Sequence, residues 1–281
     1  MNDLSLHNSR IEWWHHVGRL NSGSKSFSYQ LTFFRKKLFT KQAFVVHMSI
    51  SDLNQGLYFF SEKKTRHACI ACIDGPSICM KGCFMSPKRL VAVCDDFSFD
   101  LSLSEGRTVY HKKPNYYSIV DVETSGEVSI DGDLFKVDGV SWIDHEWPLK
   151  LPAPKIIGWD WFALSLANGT RVMLYRLCLK DGRQHFMSSG SVITTSKVKY
   201  LLDEEFSIKP VNKTGLYPDL WDVSIPSFNI ELLVKTEMAS QEFRSDVLKT
   251  NYFEGLVSVT GSVSGTGYIE LVGYDKPFKR S

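Results

Sequence analysis

The sequence predicts an all-β protein made of two similar antiparallel domains in tandem, each a barrel or a sandwich. Three observations carry that reading. Apolar and polar residues alternate with period two in several short runs, the pattern of strands with one buried face. Turn signals break these runs at close intervals. No long helical pattern appears anywhere in the 281 residues.

The strands are placed in chain order. Ser26-Phe27-Ser28-Tyr29-Gln30-Leu31-Thr32-Phe33 and Phe97-Ser98-Phe99-Asp100-Leu101-Ser102-Leu103 alternate cleanly. Further strands are expected at 43–50, 116–124, 127–130, 162–166, 171–179 and 228–235. Asp131-Gly132-Asp133, Asp138-Gly139, Asn168-Gly169 and Asp181-Gly182 supply turns between them. Residues 237–249 admit a short helix.

The chain also repeats. Lys113-Pro114-Asn115-Tyr116-Tyr117 and the strand to Gly126 recur as Lys249-Thr250-Asn251-Tyr252-Phe253 and the strand to Gly261, at an offset of 136 residues falling to 135 at the glycine. Tyr29-Gln30-Leu31-Thr32-Phe33 matches Phe162-Ala163-Leu164-Ser165-Leu166 at an offset of 133. A period near half the chain means a duplicated domain. The Pro-rich stretch at 147–154 separates the halves, which gives domains at 1–154 and 155–281.

Composition limits the function. The chain is 43% hydrophobic and 23% charged, an ordinary globular balance. A net charge of +2 with scattered basic residues gives no stripe for nucleic-acid phosphates, so nucleic-acid partners are not expected. The start of the chain lacks a secretory signal and no run is long enough to span a membrane, so a cytoplasmic location is expected. The six cysteines are then expected to stay reduced. Cys69, Cys72, Cys79 and Cys83 have a spacing that suggests a metal site. However, the first pair lies on a strand-like apolar run, where Cys69 and Cys72 point to opposite faces. Small core residues are the better reading, and no metal is expected.

Chemistry concentrates around four of the seven tryptophans, in Trp142-Ile143-Asp144-His145-Glu146-Trp147 and Trp159-Asp160-Trp161. Glu12-Trp13-Trp14-His15-His16 adds a third cluster. Aromatic walls around a few carboxyl groups suit an apolar ligand and a proton donor. Burial favours the neutral acid, and aromatic faces stabilise a developing cation. No Gly-rich phosphate loop and no serine nucleophile elbow appear, so no cofactor is expected. A metal triad of His15, His47 and Glu146 can be drawn, but no spacing supports it.

These pieces resemble the AttH and carotenoid 1,2-hydratase family. The matching segments include residues 12–18, 29–35, 47–52, 115–118, 142–147, 158–162 and 265–274, which span nearly the whole chain in order. The resemblance implies two tandem lipocalin-like antiparallel β-barrels or sandwiches. It also implies an activity drawn from a family of isoprenoid hydratases, fungal Diels–Alder cyclases and transporter-associated proteins. Carried over, the hydratase proton donor falls on Asp144. The chain is shorter than the carotenoid hydratases, and its Asp144-His145-Glu146-Trp147 is nearer the AttH branch.

Two expectations from different classes follow. One is a cofactor-free lyase or cyclase acting on an apolar polyene or isoprenoid-like molecule, in a pocket at or between the barrels. Asp144, Trp142 and Tyr117 are then the catalytic candidates, and Trp13, Trp14, His47, Asn115, Trp159 and Trp161 the substrate-binding ones. His47, Tyr117 or an indole N–H supplies the hydrogen bond that a pericyclic closure wants. Asp160 competes with Asp144 as the working carboxylate. The other expectation is a carrier of hydrophobic metabolites. There the same tryptophans plug the barrels, and Asp144 ties down a strand.

Overall fold

The computed structural model describes residues 6–38, 41–71, 76–148 and 155–275. Strands fill it in two groups. The first comprises β1 (Ile11–Ser22), β2 (Lys25–Leu38), β3 (Lys41–Asp52), β4 (Leu57–Thr65), β5 (Cys69–Ala71), β6 (Ser77–Met80), β7 (Cys83–Ser86), β8 (Arg89–Val93), β9 (Phe97–Leu103), β10 (Arg107–Tyr110), β11 (Tyr116–Ile130) and β12 (Asp133–Glu146). The second comprises β13 (Ile156–Leu166), β14 (Arg171–Leu179), β15 (Ser189–Ile193), β16 (Val198–Leu202), β17 (Ser207–Thr214), β18 (Tyr217–Ile225), β19 (Ile230–Thr236), β20 (Glu242–Arg244), β21 (Asn251–Gly261) and β22 (Gly265–Val272).

Each group forms one antiparallel sheet curled into a half-barrel, the lipocalin-like all-β architecture. In the first the order is β4-β3-β2-β1-β12-β11-β9-β8-β7-β6-β5, with β10 on β11; in the second it is β16-β15-β14-β13-β22-β21-β19-β18-β17, with β20 on β21. The second path matches the first from β4 to β7, with β6 and β5 extending the first sheet: the last long strand of each unit returns beside its first, β12 on β1 and β22 on β13. The compact units are Met1–Tyr110 with Pro114–Leu149, and His111–Lys113 with Lys150–Ser281.

The repeat is legible in this frame. β11 and β21 hold equivalent places, and they are the strands of the offset-136 match. Their glycines do the same work. A Cβ at Gly126 would stand 2.1 Å from the Asp100 carbonyl oxygen, and one at Gly261 would stand 2.3 Å from that of Glu231. Each glycine lets its strand close on the neighbouring one where no side chain fits. The second match is corrected by the topology. Tyr29–Phe33 lies on β2 and Phe162–Leu166 on β13, which is the counterpart of β1. Alternation alone made those two segments look alike.

Other expectations are sharpened. The two strands at 116–124 and 127–130 are one continuous strand. A bulge between Ile119 and Val122, with Asp121 in the left-handed region (φ 59), resets its alternation so that both Ile119 and Val122 reach the core. The helix admitted at 237–249 is absent; the segment holds the short strand β20 and turns. Pairing of β20 with β21 overrides a weak local preference. Most of the Pro-rich stretch, at 149–154, and Cys72 lie outside the described residues.

Each unit has its own core. In the first, Trp14, Phe27, Tyr29, Leu31, Phe33, Phe44 and Phe99 pack inside the curled sheet. In the second, Phe162, Leu174, Trp221, Val234 and Phe253 do so. Each fully buried aromatic or aliphatic side chain stabilises by about 1.5–3 kcal/mol relative to exposure. Phe162 meets Trp221 edge-on, with centroids 5.6 Å apart. Cys83 joins the first core, its Sγ 3.4 Å from the Met48 sulfur, whereas Cys69 and Cys79 are exposed. The expectation of small core residues thus holds for Cys83 and fails for Cys69 and Cys79, which the β5–β6 pairing leaves at the surface.

Candidate functional site

Strand alternation sorts the side chains of β12. Ile143 and His145 face the core of the first unit; Trp142, Asp144 and Glu146 face the other side. That second face is buried too, and it is polar. Following the register across six strands, Ser118 of β11 lies opposite Asp144 of β12, then come His15 of β1, Thr32 of β2, His47 of β3 and Glu62 of β4. The first five are buried and Glu62 is half-buried. Gln30 and Ser49 extend this polar surface in the adjoining row. Buried polar side chains are costly unless hydrogen-bonded, so such a row is an assembled feature.

Asp144 is its centre. Oδ1 accepts from Ser118 Oγ (2.5 Å) and from the Trp142 indole N–H (2.8 Å). Oδ2 accepts from the Tyr116 hydroxyl. All three donors are neutral. Burial pushes the Asp144 carboxyl above its ordinary range; His15, Ser118, Tyr116 and Trp142 pull the other way, and burial prevails. Farther along the row, His47 Nε2 is 2.8 Å from Glu62 Oε2, and the Phe34 ring meets the imidazole edge-on. Burial holds the His47 pKa down against the pull of Glu62.

The inward face carries a different network. Glu12 is paired with Arg35 (2.7 Å) and contacted by His7 Nδ1 (2.8 Å) and His145 Nε2 (3.1 Å). Tyr117 OH is 3.1 Å from the other nitrogen of His145, and Trp147 stacks on His7 with centroids 3.7 Å apart. One donor atom each from His7, Glu12 and His145 lies within 4.8 Å of the others, a set that could hold a divalent cation. Arg35 and the His7 backbone N–H already neutralise and satisfy that carboxylate. The cluster therefore works as a buried ion-pair knot tying the segment before β1 to the end of the sheet. His15, His47 and Glu146, drawn as a triad from sequence, are not brought together, because Thr32 stands between the two histidines in the row.

Several predicted residues separate here. Trp142 contacts Asp144 directly, and His47 shares its row. Trp13, half-buried, lies opposite Glu146 on the same face. Tyr117 and Trp14 face the core instead, with Trp14 stacked on His145. Asn115 is a clasp. Its backbone is left-handed (φ 62), its side-chain amide donates to the Trp147 carbonyl (3.2 Å), and its own carbonyl accepts the Trp147 N–H (3.0 Å). Asp160 faces the core of the second unit, bound by Arg176 (2.8 Å) and the Tyr274 hydroxyl (2.8 Å). Burial raises its pKa, and those partners oppose the rise. It is an ion-paired structural carboxylate.

Trp161 is buried on the outward face of β13. Trp159, on that same face, donates its indole N–H to Glu270 (2.6 Å). Glu270 lies opposite Glu254, as Asp144 lies opposite Ser118, so it holds the equivalent place in the second sheet. Burial pushes the Glu254 carboxyl well above its usual range. Two surface depressions lie elsewhere, one of about 550 Å³ around Ala167 and Ser264 and one of about 330 Å³ around Cys79 and Phe84; neither is lined by Asp144.

Sequence reasoning did not single out Tyr116, Ser118 or Glu62, and named His15 only within a tryptophan cluster and a metal triad. Only the register of β11 and β12 decides that Tyr116, rather than Tyr117, shares a face with Asp144.

The AttH-like family model matches residues 2–274. Comparison with curated protein sequences gave no match. Among solved structures, the AttH protein NE1406 from Nitrosomonas europaea superposes with a TM-score of 0.84 at 24% identity, covering 96% of this chain and 95% of that one. Kievitone hydratase from Nectria haematococca gives 0.71 at 14% identity, covering 98% and 93%. CghA gives 0.63 at 10% identity, covering 100% and 96%. At these identities the likeness is one of fold.

Proposed function

The chain belongs to the AttH-like family, and from the site on its first sheet we propose a lyase- or cyclase-type enzyme that acts on an apolar, polyene or isoprenoid-like molecule without a nucleotide cofactor. Asp144 is its acid, and hydration of a carbon–carbon double bond is the preferred reaction. One observation carries this reading: a buried carboxyl hydrogen-bonded to three neutral groups, with no lysine or arginine bonded to it among the described residues. The fold shared with a protein named as a hydratase supports the class.

The hydrogen-bond partners support one position for the acidic proton. An indole N–H can only donate, so Oδ1 is committed as an acceptor to Trp142. The proton of neutral Asp144 therefore belongs on Oδ2, facing the Tyr116 oxygen. Tyr116 donates to Oδ2 when Asp144 is ionised; with Asp144 neutral that bond reverses, Asp144 donates, and the Tyr116 hydrogen no longer serves it. In one step Tyr116 protonates an alkene carbon and recovers a proton from Asp144. The π electrons form the new C–H bond, and the neighbouring carbon becomes a cation beside Trp142. Water adds to that carbon, and its surplus proton returns to the Asp144 carboxylate, directly or through His15 in the adjacent register. The sum is alkene plus water giving alcohol.

The test is incubation of the purified protein with a panel of polyenes and prenylated phenols in ¹⁸O-labelled water, followed by mass spectrometry. Gain of one labelled water, lost in Asp144→Asn and strongly reduced in Tyr116→Phe, is the expected result. A product of unchanged mass that survives Asp144→Asn means cyclisation. Binding with no product means a carrier, and overturns the proposal.

A further inference from the structure

The cysteine-rich stretch that the proposed chemistry leaves unused carries an inference of its own. Cys69 on β5 and Cys79 on β6 are direct partners across an antiparallel pair, and both are exposed. We propose that they form an oxidisable dithiol, a modification site that exchanges with low-molecular-weight disulfides to give a cross-strand disulfide.

Geometry favours the bond. Directly opposed residues in an antiparallel pair have Cα atoms about 4.5 or about 5.5 Å apart, depending on the type of pair. Both values fall inside the range of roughly 4.4–6.8 Å that a disulfide spans. No large backbone movement is needed, and the two side chains leave the same face of the ribbon. β5 ends the strand order of its sheet, so a small adjustment there disturbs only its pairing with β6. Cys79 also lines the depression of about 330 Å³ with Phe84, Val91 and Val93, which gives a small reagent room to approach.

The remaining described thiols are poorer candidates. Cys83 is in the core, and burial raises its pKa to about 11. Cys94 and Cys178 are half-buried, and burial raises both, Cys178 to about 12. A thiol that resists ionisation is a weak nucleophile. Selectivity for Cys69 and Cys79 thus follows from exposure together with pairing.

The chemistry balances with oxidised glutathione as the oxidant. The thiolate of one cysteine attacks the glutathione disulfide, forms a mixed disulfide and expels one glutathione thiolate. The thiolate of the second cysteine attacks the protein sulfur of that mixed disulfide and expels the other. Two protein thiols are oxidised to one disulfide, one glutathione disulfide is reduced to two thiols, and the two protons pass to the expelled thiolates.

The experiment treats the full-length protein with oxidised glutathione and counts thiols after denaturation. The expected count falls from six to four, with the mass lower by two hydrogens and no retained glutathione. A non-reducing digest then links the peptides holding Cys69 and Cys79, and dithiothreitol restores six thiols. Cys79→Ser should stop at one stable glutathione adduct on Cys69. The proposal is overturned if the wild-type protein keeps separate adducts on Cys69 and Cys79, or if the digest joins either of them to Cys72. The wild-type digest decides the matter even if the variant does not fold.

Discussion

His16 should make the first unit acid-labile, and His16→Leu should cure it. The imidazole is fully buried on the inward face of β1, in register with the core residues Leu31 and Ile143. Among the described residues neither ring nitrogen makes a well-formed hydrogen bond; the Leu31 carbonyl is its one weak partner. Burial lowers its pKa from 6.5 to about 3; His15 and His145 push the same way, and the Leu31 carbonyl opposes them. The folded pKa lies below the unfolded one, so between the two values the unfolded chain binds more protons. Stability is therefore full above pH 6.5 and falls as pH drops towards 3. The limit of this loss is about 5 kcal/mol, and about 2 kcal/mol is already gone at pH 5. Leucine has a similar volume and no polar atoms. It should stabilise the protein by about 1–3 kcal/mol at pH 7, because a buried and poorly hydrogen-bonded imidazole disappears. At pH 5 the advantage should grow by about a further 2 kcal/mol. Urea unfolding of both proteins at pH 7 and pH 5 measures this, and other titrating groups cancel in the difference. An advantage that does not change with pH would refute the reasoning, since it would mean that His16 can be protonated in the folded state.

Other outcomes follow from the same geometry. His111 is buried, sits 2.9 Å from Ser191 and has its pKa lowered to about 3, so His111→Gln should remove a second, independent part of the acid lability, read in the same urea series. Arg176→Met strands Asp160 without its cation and should cost about 3–5 kcal/mol in thermal or urea unfolding. Gly126→Ala and Gly261→Ala each press a methyl group into a neighbouring backbone carbonyl; both should destabilise by more than about 1 kcal/mol, seen as lowered urea midpoints. Asp144→Asn should reduce turnover of a hydrated substrate by about 10²–10⁴-fold and leave ligand binding, followed by tryptophan fluorescence, largely intact.

The all-β class and the tandem repeat were legible because period-two alternation and turn residues are local signals. Even there, alternation could not tell β2 from β1 when the halves were matched, since many strands share one pattern. Within the site, Asp144 and Trp142 stood out as types in an aromatic cluster, and their i, i+2 spacing placed them on one face. Tyr116 was hidden beside Tyr117, because the choice rests on register with a strand some 28 residues away in the contact to Asp144. His15 and Glu62 join the row only through pairings that run across β1, β2, β3 and β4. Asp160 looked as promising as Asp144 in sequence. Its partners Arg176 and Tyr274, 16 and 114 residues distant, decide otherwise.

The protonation of Asp144 tests the proposed chemistry most directly. Carboxyl ¹³C chemical shifts of aspartate-labelled protein, with Asp144→Asn to assign the resonance, follow that single group through a pH titration. Burial should place its midpoint above the ordinary value of 3.8. Because the folded pKa is raised, the stability this group contributes should be lost as pH rises through the folded midpoint. A midpoint at or below 3.8 would mean that Tyr116, Ser118, Trp142 and His15 together hold Asp144 as a fixed carboxylate, and would contradict its role as an acid.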